Sequence, residues 1–128
     1  MSLPPSPAPS QTPPAATADP RLIEGWALTE TARRLAAAAE QPADAGTLLE
    51  AVRLNWRLWS IFQASLFDPE CPLPADLRDN ILALAAFIDR HSADLIADPD
   101  PGKVGILVSI NRELAGGLTT AAVSVEPR

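Results

Sequence analysis

The stretch Thr47-Leu48-Leu49-Glu50-Ala51-Val52-Arg53-Leu54-Asn55-Trp56-Arg57-Leu58-Trp59-Ser60-Ile61-Phe62-Gln63-Ala64-Ser65-Leu66 decides the fold. Leu48, Val52, Asn55, Trp59, Phe62 and Leu66 recur at spacings of three and four, the period of one helix face. A second, largely apolar row, Leu54, Leu58, Ile61 and Ser65, runs beside the first. A helix apolar on two sides is either central in its domain or holds one side for a partner. Asp44 or Thr47 caps its start, and Thr47 with Glu50 fits a capping box.

Prolines divide the chain on either side of this helix. Upstream, Asp19 reads as an N-cap before Pro20, and Pro42 closes a segment predicted as a helix from Pro20 to Gln41. Its apolar positions, Leu22, Trp26, Leu28, Ala32, Leu35 and Ala39, cover one broad side, and Trp26 reads as core. Downstream, three prolines between Asp68 and Pro74 make continued helix costly, so this is a stiff connection. Pro74 then suits the first turn of a third helix, with Asp76 and Asp79 favourably placed on its dipole. Leu77, Ile81, Leu84, Ile88 and Leu95 mark its stripe as far as about Ala97, with His91 or Ser92 filling the place between Ile88 and Leu95. After Asp98-Pro99-Asp100-Pro101-Gly102, the residues Val104, Leu107, Val108, Asn111, Leu114 and Leu118 give a fourth helix, with Gly116-Gly117 as its expected stop. The predicted fold is all-α: a small four-helix bundle over residues 19–118, a disordered Pro-rich arm over 1–18 and a flexible tail over 119–128.

Composition supports this class. Of 128 residues 47% are hydrophobic but only 5% aromatic, and Ala and Leu dominate, which favours helix over strand. Seven of the 14 prolines fall within the first 20 residues, a segment with little to bury. No apolar run is long enough for a membrane span, and no signal peptide is evident, so a soluble cytoplasmic protein is expected. The net charge of −6 argues against nucleic acid as a default partner. Asp68 to Pro99 holds seven acids against two arginines and so carries nearly all of the net charge, as a solvated face or an acidic docking surface.

Catalysis finds little material. Cys71, the single cysteine, sits among acids that disfavour its thiolate, and a lone His91 cannot build a metal site. Asp89, His91 and Ser92 point in different directions on a helix and cannot form a relay. Lys103 is the only lysine, and no phosphate-binding loop surrounds it. No enzyme, metal or cofactor is expected. Arg33, Arg34, Arg53 and Arg57 concentrate positive charge, but interspersed glutamates favour a salt-bridged surface over RNA binding. What remains is apolar surface suited to a peptide helix in a groove.

Asn55-Trp56-Arg57-Leu58-Trp59-Ser60-Ile61-Phe62, then Leu66-Phe67-Asp68-Pro69, Leu73-Pro74-Ala75-Asp76-Leu77-Arg78 and Ile110-Asn111-Arg112 together resemble the flagellar biosynthesis regulator family FlaF. Pro20-Arg21-Leu22-Ile23-Glu24 and Ala32-Arg33-Arg34-Leu35 extend the resemblance over about residues 19–118. The resemblance implies a helical protein that promotes flagellin synthesis or export, by chaperone-like binding of flagellin or as a translation regulator working on RNA or with the co-regulator FlbT. It nominates Asn55, Leu58, Trp59, Phe62, Pro74, Leu77, Asn111 and Arg112; with Trp56, added from its place on the flank of the stripe, these form the expected partner-binding set, save Asn55, which reads as structural and polar. Within that set, Asn55 and Asn111 read as a polar link between helices two and four, because a buried amide needs partners. Trp59 and Phe62 read as core, and Trp56 and Leu58 as better placed for a partner.

Overall fold

The computed structural model describes residue 15 and residues 20–41 and 44–124, with side chains as far as Leu118. Among these residues four helices form: α1 (Pro20–Ala39), α2 (Ala45–Leu66), α3 (Ala75–Ala97) and α4 (Gly105–Ser124), with a short 3-10 turn, Pro101–Lys103, before the last. No strand occurs among the described residues. The arm over 1–18 lies, but for residue 15, outside the described residues, as does Asp19.

The helix ends refine the sequence reading. Asp44 is the cap of α2: its carboxylate accepts from the Thr47 amide at 3.0 Å and the Thr47 hydroxyl at 2.6 Å. Thr47 is therefore a donor to the cap and not the cap of a box with Glu50. These two bonds, from the Thr47 hydroxyl first, hold the Asp44 carboxyl below its ordinary range. Pro74 stands one place before the first turn of α3, and its carbonyl accepts from the Arg78 amide at 2.9 Å. α1 ends at Ala39 and not at Gln41. The largest departure is at α4, which passes through Gly116-Gly117 and continues to Ser124, so Thr119 to Ser124 are helix and not tail. Helix-interior glycine costs only about 1 kcal/mol against alanine, and the fully buried Leu118 beyond the pair anchors the helix.

Around the bundle the helices succeed one another as α4, α1, α2, α3: α1 packs on both α4 and α2, and α3 packs on α2. Leu28, Ala32 and Leu35 of α1, Val52, Trp59 and Leu66 of α2, Ile81, Ile88 and Leu95 of α3, and Val104, Leu107 and Leu118 of α4 form one core. Ser92 takes the place between Ile88 and Leu95 and is fully buried. Trp26 stands apart from this core, half-buried on α1, which corrects the sequence reading.

At the centre of the bundle is a polar node. The Trp59 indole N–H donates to the Asn111 carbonyl oxygen at 2.9 Å, and the Asn111 amide donates to the Asn55 carbonyl oxygen at 2.7 Å. The Asn111 amide also approaches the Leu28 carbonyl of α1, at 3.5 Å. Both asparagines are fully buried. The expected link between α2 and α4 is thus present, and it extends to α1. Buried amides with this few possible partners select one register among helices whose apolar stripes alone would tolerate several.

Candidate functional site

Among the described residues, helix packing leaves the seam between α3 and α4 incomplete. His91 at the upper end of α3 donates its Nε2–H to the carbonyl of Lys103, just before α4, at 2.6 Å, and its ring stacks on Phe87 with centroids 5.1 Å apart. Towards the other end of α3, Leu77, Ile81 and Leu84 face Ile110, Leu114 and Leu118 of α4 across an open cleft of about 250 Å³. The two helices therefore run antiparallel, held at one end and parted along the rest. Ile81, Leu114 and Leu118 are buried, whereas Leu77, Leu84 and Ile110 are half-buried. The opening is apolar, with Asn80 and Glu113 as the polar residues of its lining.

Other apolar surface lies on α2. Ile61 is 64% exposed and Phe67, its C-cap, 68% exposed, with Leu54 less so. Leu54 and Ile61 belong to the second row seen in the sequence, although Leu58 of that row is half-buried against the core. A second hollow, of about 320 Å³, lies between the end of α1 and the start of α2, where Arg33 and Arg34 meet Glu50 and Leu54. Arg33 donates to Glu30 at 3.1 Å, and Arg34 lies 3.5 Å from the same carboxylate. The bond from Arg33 leads in holding the Glu30 carboxyl below its ordinary range, against the opposing effect of desolvation. Half of the positive cluster on α1 and α2 is thereby neutralised at close range.

The residues nominated for partner binding do not converge on one place. Trp59, Phe62 and Asn111 are enclosed in the bundle with Asn55, and present no surface to a partner. Trp56 is half-buried, and its indole N–H donates to Asp89 of α3 at 2.9 Å, so it ties α2 to α3. Pro74 is exposed at the start of α3. Arg112 is exposed on the other flank of α4, in a shallow hollow with Thr29, Ala115 and Gly116. Of the set, Leu77 alone lines the cleft. Leu84, Ile110, Glu113 and Gly117 complete its edges; sequence read Leu84 as core stripe, Ile110 only as part of the family element and Gly117 as a stop, and did not single out Glu113. Among the described residues no group of three or more His, Cys, Asp or Glu side chains is placed to hold a metal ion.

A sequence model of the flagellar protein FlaF matches residues 10–118. The chain belongs to the FlaF family of flagellar proteins. The match begins at residue 10, inside the proline-rich arm, and so reaches further upstream than the resemblance from Asp19 onward. It covers all four helices, with α4 included to Leu118, the last residue of the buried stripe. No curated protein and no solved structure matches the chain. Among the described residues of this FlaF-family protein no helix is long and apolar enough to cross a membrane.

Proposed function

We propose that this FlaF-family protein promotes flagellin synthesis and export by binding newly made flagellin in the cytoplasm as a chaperone-like factor, and that it is a binding protein and not an enzyme. The observation that carries the reading is the apolar cleft between α3 and α4 in a protein of a flagellar family. Flagellin must remain unassembled until export, and a factor that covers an apolar helical face keeps such a chain from associating prematurely. A four-helix domain with an open apolar seam has the shape for that task.

The test is calorimetric titration of the purified full chain with monomeric flagellin. Binding with a negative heat-capacity change is expected, since apolar surface leaves water on association. No complex at high concentrations of both proteins would reject direct flagellin binding.

A second reading has one observation in its favour. Arg53 and Arg57 are exposed on α2 and have no carboxylate partner among the described residues. A translation regulator could use them on a flagellin mRNA, either directly or in company with FlbT. Direct contact predicts binding to the RNA leader that weakens steeply with salt and is lost in Arg53→Ala/Arg57→Ala.

A further inference from the structure

Gly116 and Gly117 sit in the interior of α4, where glycine weakens a helix because its backbone gives up more freedom on ordering. The described fold requires neither of them. A Cβ built at either position meets nothing within 4 Å, and neither residue has positive φ. They differ in what they border. Gly117 lies on the edge of the α3–α4 cleft beside Glu113 and Leu114, whereas Gly116 lies in the hollow with Thr29 and Arg112. A bare backbone at a cleft edge lets another helix approach more closely than the usual axial separation of about 8–10 Å.

The cleft edges carry a pattern of their own. Along α4, Ile106, Ile110, Glu113 and Gly117 recur at spacings of four, three and four, and Ile106 is 46% exposed, so the apolar track extends beyond the cleft towards the His91–Lys103 contact. Along α3, Asp76 is exposed beside Leu77 at the open end of the cleft, whereas Asp94 and Asp98 lie beyond His91, past the end that is held. Glu113 answers Asp76 from α4. Among the described residues that line the cleft, none is basic.

We propose that the α3–α4 cleft docks an amphipathic helix of a partner protein whose apolar face is bordered by lysines or arginines, with the Gly117 backbone as the point of closest approach. The apolar lining supplies the contact area, and Glu113 on one edge with Asp76 on the other sets charge complementarity and orientation. The proposal rests on the reading above, which supplies flagellin as the protein carrying that helix.

The experiment uses the full chain and two fluorescent amphipathic peptides of about 18 residues, roughly five helical turns. Each has a leucine face, one bordered by lysines and the other by glutamates. The lysine peptide should bind at least about tenfold more tightly than the glutamate peptide, a difference of about 1.4 kcal/mol. Gly117→Leu, which puts a side chain into the cleft, should weaken binding of the lysine peptide by about tenfold or more. Gly116→Leu, on the other flank, should leave binding unchanged. A Cβ at either position meets nothing within 4 Å and leucine is the better helix former, so circular dichroism should show both variants folded and helical like the parent.

Equal affinity for the two peptides, equal behaviour of the two glycine variants, or no binding of the lysine peptide would overturn the proposal. Flagellin that displaces the lysine peptide would support both readings. Flagellin bound equally by the parent and Gly117→Leu would overturn the cleft as its site and leave flagellin binding standing. Failure to bind flagellin, with the lysine peptide still bound as expected, would reject the flagellin reading and uphold the cleft.

Discussion

The flank of α4 that meets α1 and α2 is sealed, with Asn111 hydrogen-bonded to Trp59 and Asn55 and close to the Leu28 carbonyl, while the flank that faces α3 is parted around an apolar cleft. One helix thus presents two unlike flanks. On the sealed side the Trp59 indole and the Asn111 side chain find partners, the Asn55 amide N–H groups being left without one, and the node fixes the register of three helices. On the open side the leucines and isoleucines need no particular partner, so they can remain half-buried at modest cost and be covered by another chain later. On the reading proposed above, the difference separates stability from recognition across the width of a single helix.

Breaking the sealed side should have the largest effect. Asn111→Ala leaves the Trp59 N–H and the Asn55 carbonyl without their partner and removes side-chain volume from a fully buried site. A loss of about 3 kcal/mol is expected by urea denaturation. A loss under about 1 kcal/mol would show that the node does not hold the bundle together.

Replacements on the open side should be milder. Leu84→Ala, at a half-buried position of the cleft, is expected to cost about 1 kcal/mol or slightly more and to weaken partner binding together with it. A cost equal to that of Asn111→Ala would mean that the cleft is part of the core, and the contrast between the flanks would disappear. Trp56→Phe removes the bond to Asp89 that ties α3 to α2. It should cost about 1 kcal/mol, and increased hydrogen exchange in α3 without change in α1 would locate the effect.

Gly117→Ala sharpens the comparison from the opposite direction. With nothing near the added Cβ, it should raise stability by about 0.5–1 kcal/mol. A decrease would show that the cleft edge is already occupied.

The smallest effect is expected at Asp44, which lies outside both flanks. Its carboxyl is held low by the Thr47 hydroxyl and amide, so the charged form stabilises the folded state. That contribution is present above the unfolded carboxylate pKa of about 3.9 and is lost as pH falls through the lower folded value. Asp44→Asn keeps a capping oxygen but cannot titrate, so it should flatten the acid limb of Tm against pH while leaving the neutral Tm nearly unchanged.

Much of this architecture was legible in the residues themselves. Prolines at 42, 69, 72, 74, 99 and 101 mark the three connections, and the period of three and four along α2 places Trp59 and Phe62 inside. The Asn55–Asn111 bond followed from the rule that an amide in an apolar stripe must be satisfied. Besides Trp26, three features escaped for physical reasons. Gly116-Gly117 resembles a helix stop because local propensity is all that a sequence window reports, whereas the burial of Leu118 against other helices decides the outcome. Trp56 resembles a free contact because Asp89, its acceptor, is 33 residues away. The cleft was invisible because Leu84 and Ile110 have the spacing of ordinary core residues, and the distance between two helices is not written in the period of either.

Hydrogen–deuterium exchange of the full chain, alone and with monomeric flagellin in excess, tests the central claim most directly. The account predicts added protection confined to Leu77–Leu84 of α3 and Ile110–Leu118 of α4, with the amides around Asn55 and Trp59 unchanged. Protection confined to Leu54–Phe67 of α2, or no protection at any position, would contradict it.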